Sequence, residues 1–78
     1  MQLSEAIQNR IINLCKEQNI TLNKLATNSG LSYSTVFSIF YGKSSSPKLA
    51  TILHICEGFG ITLGEFFADS TFDTAEQD

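Results

Sequence analysis

The stretch on which the fold turns is LNKLATNSGLSYSTVFSIFY, residues 22–41. Leu22, Leu25 and Ala26 share one face of a short helix that Thr21 can cap and Gly30 can end. Ser32 can cap a second short helix, which turns Val36, Ile39 and Phe40 inward and stops at Gly42. So few residues separate the two helices around Gly30 that they must cross steeply. Such a crossing needs a small residue where the helices touch, and Ala26 is small. It needs a left-handed turn, which Gly30 adopts without a Cβ penalty. It also needs branched apolar side chains on the second helix, and Val36 and Ile39 are there, with Leu25 and Leu31 completing a small core. Ala, Gly and a β-branched residue thus stand at positions 5, 9 and 15 of one unit.

Outward from this unit the pattern stays helical. Ile7, Ile11, Leu14 and Cys15 fall at i, i+4, i+7 and i+8, a stripe on a first helix that Ser4 can cap and that fades near Gln18-Asn19. On a fourth helix, Leu49, Ile52, Leu53 and Cys56 form the inward stripe. Ser46 suits its cap and Pro47 its first position, where no backbone donor is missed. Gly58 and Gly60 break it. Thr62 and Glu65 form a capping box ahead of Phe66-Phe67. Period-two alternation is absent over any useful length, so the expected fold is all-α, five short helices over residues 1–68.

Size and composition agree. Seventy-eight residues hold one small domain; 42% apolar residues with six Phe supply a core, and 17% charged residues with one Pro exclude a disordered chain. The net charge of −3 speaks against a nucleic-acid partner until its distribution is read. Asp69, Asp73, Glu76 and Asp78 make an acidic tail, residues 69–78, expected outside the packed domain; the body is left at +1, with Lys24, Lys43 and Lys48 and no acid between Gln18 and Cys56. Cys15 and Cys56 stand apart at apolar helical positions and read as core residues in a reducing compartment. There is no signal-peptide pattern and no apolar run near ~20 residues, so the expected location is cytoplasmic with no membrane contact. His54, the one histidine, reads as a surface residue. No metal site, cofactor motif, nucleophile elbow or acid–base pair is present, which argues against an enzyme.

Leu25-Ala26, Gly30-Leu31-Ser32, Ser34-Thr35-Val36, Gly42-Lys43, Pro47 and Phe59-Gly60-Ile61-Thr62-Leu63 together resemble the phage repressor/Cro-type (XRE-type) helix-turn-helix family over about residues 5–67. The resemblance implies a lambda-repressor-like fold and a sequence-specific transcriptional regulator, a repressor in the first instance. It implies double-stranded DNA as partner, a homodimer on half-sites about 34 Å apart, and a third helix, about 32–41, in the major groove. It places Tyr33, Ser34, Phe37 and Ser38 toward the groove. Thr21, Ser32, Lys43, Ser44, Ser46 and Lys48 suit phosphate oxygens. No Arg, Gln or Asn faces the groove, so the strong bidentate base contacts are missing and specificity should lean on thymine methyls and duplex shape. Three lysines per protomer limit the log–log salt slope of a dimer to roughly −5. Many relatives pair a Glu near the end of the third helix with an Arg on the first; here Phe40 and Cys15 hold those places. Phe66, Phe67 and Phe72 are candidates for a dimer contact. The alternative is a protein-interaction module of the same fold, such as an antitoxin or anti-repressor partner, docking through the i, i+4, i+8 stripe of Tyr33, Phe37 and Tyr41.

Overall fold

Three connections of one design set the corners of the fold. In the computed structural model, which describes residues 1–41 and 47–77, α1 (Leu3–Gln18), α2 (Leu22–Ser29), α3 (Tyr33–Tyr41), α4 (Leu49–Phe59) and α5 (Leu63–Phe66) precede a short 3₁₀ turn (Ser70–Thr74). The triplets Asn19-Ile20-Thr21, Gly30-Leu31-Ser32 and Gly60-Ile61-Thr62 link α1 to α2, α2 to α3 and α4 to α5. The first residue of each is left-handed, with φ of 56°, 69° and 73°. The second sends its N–H back five residues, Ile20 to the Cys15 carbonyl, Leu31 to Ala26 and Ile61 to Cys56, each at 3.0 Å, and packs its side chain on the core. The third caps the next helix: Thr21 Oγ1 accepts from the Lys24 N–H at 3.1 Å, Ser32 Oγ from Thr35 at 3.2 Å and Thr62 Oγ1 from Glu65 at 3.0 Å. At Thr62 the box is complete, because Glu65 Oε1 accepts the Thr62 N–H at 2.9 Å.

The core runs from Ile7, Ile11, Leu14 and Cys15 of α1 through Leu25, Ala26, Val36 and Ile39 to Ile52, Ile55, Cys56, Phe59 and Phe66. Three polar side chains of α1 tie this core to distant helix ends, where backbone carbonyls lack partners. Gln8 Nε2 donates to the Ile39 carbonyl of α3 at 2.9 Å, and Gln18 Nε2 to the Phe59 carbonyl of α4 at 2.8 Å. Arg10 donates from Nε to the Phe66 carbonyl at 2.7 Å and from an Nη to the Glu65 carbonyl at 2.8 Å, with its guanidinium 6.0 Å from the Phe66 ring centre.

The structure departs from the sequence reading at three places. α1 begins at Leu3 with Gln2 in the cap position, and Ser4 lies buried in the first turn. No side-chain cap is needed because the chain returns: the Leu3 N–H donates to the Glu76 carbonyl at 2.8 Å, and the Glu76 N–H to the Met1 carbonyl at 3.0 Å. That return also brings in the acidic segment expected outside the domain. Phe72 packs against the core, and Asp69 approaches Arg10 at 3.9 Å. On α4 the buried stripe is Ile52, Ile55, Cys56 and Phe59, while Leu49 and Leu53 are 64% and 46% exposed. The face turned to α2 is the one bearing Gly58, where a Cβ would collide with the Ser29 hydroxyl. α4 starts at Leu49 with Lys48 in the cap position, so Pro47 precedes the helix, and Ser46 lies outside the described residues.

Candidate nucleic-acid interface

α3 buries only Val36 and Ile39, with Thr35 and Phe40 half-buried, and turns the rest outward. Tyr33, Phe37 and Tyr41 are 44%, 38% and 71% exposed. Their rings form one continuous strip, with Tyr33 and Phe37 centred 5.5 Å apart at 35° and Phe37 stacked on Tyr41 at 4.2 Å and 24°. Ser34 and Ser38 are exposed beside them. A shallow depression is lined by Tyr33, Ser34, Phe37, Ser38 and Tyr41, and a second one by Thr21, Leu22, Asn23 and Tyr33. Sharing Tyr33, they make a concave path from the start of α2 along α3.

The hydroxyls along this path are already oriented. Thr21 Oγ1 accepts its capping bond and so keeps its proton for an outside acceptor. Ser32 Oγ and Thr35 Oγ1 share one bond at 2.8 Å. Ser38 donates to the Thr35 carbonyl at 2.8 Å, which leaves its oxygen as an acceptor. α3 itself carries no charge; Lys24, whose N–H meets Thr21 Oγ1 on the path, is exposed, as is Lys48 at the start of α4. Thus Thr21, Ser32, Tyr33, Ser34, Phe37 and Ser38 lie along one path, while Lys43, Ser44 and Ser46 lie outside the described residues.

Of the three phenylalanines expected at a dimer contact, Phe66 is fully buried. It fills the core under Arg10, and a partner could not reach it without unfolding α5. Phe67 and Phe72 are half-buried and meet edge to face at 4.9 Å. Phe40 is half-buried against the core and Cys15 is buried in it, which suits two apolar residues. Burial pushes both cysteine thiols up from their ordinary value, leaving them protonated and unreactive at neutral pH. His54 is exposed, with Nδ1 3.5 Å from Glu57 Oε1. Among the described residues no cluster of three metal-ligating side chains occurs, and no helix is long and apolar enough to cross a membrane.

Sequence reasoning missed Gln8, Arg10 and Gln18. The carbonyls they hold are distant in sequence, and a polar residue on a helix gives no sign of such a target.

A short α2 locked at a left-handed Gly30 to an α3 whose outer face is exposed defines a helix-turn-helix DNA-binding domain. The chain belongs to the Cro/C1-type helix-turn-helix DNA-binding domain family, whose model matches residues 10–71. This is a family of DNA-binding domains and not of enzymes. The crystal structure of the prophage Lp1 protein 11 is similar, with a TM-score of 0.83 and 33% identity over 96% of this chain and 100% of that one. Among curated proteins none matches.

Proposed function

We propose that this chain is a cytoplasmic transcriptional repressor that binds its operator as a homodimer, one α3 entering the major groove of each half-site. The observation that carries the reading is the exposed outer face of α3, with Ser34, Phe37 and Ser38 turned out together and capped helix starts at Thr21 and Ser32 on either side of Gly30. In this reading Ser34, Phe37 and Ser38 meet base edges, and Tyr33 covers the groove wall. The Thr21 hydroxyl, Ser32, Lys24 and Lys48, together with Lys43, Ser44 and Ser46, meet phosphates. Dimer contact falls to the carboxy-terminal face, where Phe67 and Phe72 keep part of their surface; Phe66 is withdrawn from it.

The test is selection of bound sequences from a random duplex pool. A paired motif with half-sites about one helical turn apart supports a dimeric reader. A single unpaired motif removes the dimer, and no enrichment removes the DNA reading.

The stacked strip of Tyr33, Phe37 and Tyr41 favours a second reading, a protein-docking module such as an antitoxin or anti-repressor partner. Tight binding to a protein partner, with no duplex binding at low salt, is the result that selects it.

A further inference from the structure

We propose that α3 is a reader of pyrimidine C5-methyl groups, with Phe37 as its sensor, so that its target DNA is recognised through thymine and through 5-methylcytosine alike. The inference rests on the reading that α3 enters the major groove, and it names what the helix recognises there.

Recognition by α3 has few means available. Its outward face carries three rings and two serine hydroxyls, with no guanidinium, ammonium or carboxamide. The bidentate contacts that read guanine or adenine are therefore absent. The major-groove feature an apolar side chain can distinguish is the methyl group on C5 of a pyrimidine, which projects beyond the base edge.

Ring geometry narrows the choice to Phe37. An unpaired base stacks on a free aromatic face. The Phe37 ring has Tyr41 stacked on it at 4.2 Å and Tyr33 tilted toward it at 5.5 Å, so one face is covered and a second ring borders the part that stays exposed. A ring flanked by two others is a poorer platform for a flipped base than a free one, and its exposed part is an apolar wall for a methyl. Phe37 also sits at the middle of the helix, in the depression between Ser34 and Ser38.

Ser38 adds a second requirement. Its proton is committed to the Thr35 carbonyl at 2.8 Å, so toward DNA its oxygen can only accept. The amino groups of cytosine and adenine satisfy it, and the carbonyls of thymine and guanine do not. Methyl and amino group occur on one base pair in T·A, on opposite strands, and on a single base in 5-methylcytosine. A face made of Phe37 and an accepting Ser38 therefore admits a C5-methylated C·G pair where it disfavours the unmethylated one.

The experiment titrates the wild-type protein by anisotropy against four versions of its selected operator. At each half-site thymine in turn, the duplex carries T·A, U·A, C·G or 5-methyl-C·G. One methyl is the sole difference within each of the two comparisons. At the contacted position, T over U and 5-methyl-C over C should each raise affinity about fourfold, the factor given by burying one CH₂-sized group. In Phe37→Ala both ratios should fall to about one. The wild-type comparison changes only the DNA, so it does not depend on how the variant folds. Ratios near one at every thymine in the wild type, with operator binding intact, overturn the proposal and leave the DNA-binding reading standing. Ratios that persist in a folded Phe37→Ala overturn the role of Phe37. Absence of any duplex binding overturns the DNA-binding reading and this proposal with it.

Discussion

The side chain of Gln8, in α1, donates from Nε2 to the carbonyl oxygen of Ile39, in α3, at 2.9 Å across 31 residues of sequence. α3 makes its main helix–helix packing with α2, so this bond is a separate tether fixing its carboxy-terminal half to the body of the domain. We expect Gln8→Ala to cost about 1 kcal/mol of stability, the size of one net hydrogen bond, in urea unfolding. The same variant should weaken operator binding while leaving the salt slope unchanged, because no phosphate contact is lost. A changed slope would mean that Gln8 itself meets DNA.

Arg10 does the same for α5 with a charged group. Its two bonds to the Phe66 and Glu65 carbonyls should make Arg10→Ala cost about 2–3 kcal/mol, since bonds to charged donors are the stronger kind and the carbonyls would be left unpaired. Arg10→Lys cannot reproduce the two-pronged contact and should recover only part of the loss. Recovery of full stability by Lys would show that charge near α5, and not the fork, is what matters.

Gly58 and Ser29 set the closest approach of α4 to α2. A methyl at Gly58 must push Ser29 aside, so Gly58→Ala should destabilise by about 1–3 kcal/mol despite the better helix propensity of Ala. The Ser29 hydroxyl is buried without a hydrogen-bond partner. Ser29→Ala should therefore raise the melting temperature, and in its presence Gly58→Ala should cost less than it does alone. Additive effects in the double variant would contradict the contact.

Acid should loosen the carboxy-terminal return. Asp69 is held below the usual carboxylate range first by the Thr71 N–H and then by the Thr71 hydroxyl, with a smaller contribution from Arg10. A carboxyl whose folded value is the lower one stabilises the fold above its unfolded value, about 3.9, and that contribution goes as pH falls through the folded value. The stability gap between wild type and Asp69→Asn should accordingly be present at pH 6 and close below about pH 4. A gap that widens in acid would reverse the sign.

How much of this was legible in the sequence depends on how local the signal was. Each helix corner except the start of α4 is written in three consecutive residues, so α2, α3 and α5 were readable with their caps. The α4 stripe was not, because Leu49-Ile52-Leu53-Cys56 and Ile52-Ile55-Cys56-Phe59 satisfy the same i, i+3, i+4, i+7 pattern. What decides between them is the contact of Gly58 with Ser29, which no periodicity contains. The acidic segment was not legible because its charge pattern points outward and Phe72 suits a dimer contact as well as the core; that ring and the amide of Leu3 at the start of α1 bring the chain back. On the candidate site, the outward face of α3 followed from its helical period alone. The tether from Gln8 did not, because its target is a backbone carbonyl and carries no side-chain signature.

The most direct test is a fluorescence-anisotropy titration of a selected operator duplex at increasing salt. The account predicts saturable binding whose log–log slope is no steeper than roughly −5, the limit set by three lysines on each of two protomers. A flat titration at about 50 mM salt, where phosphate contacts are strongest, would contradict it.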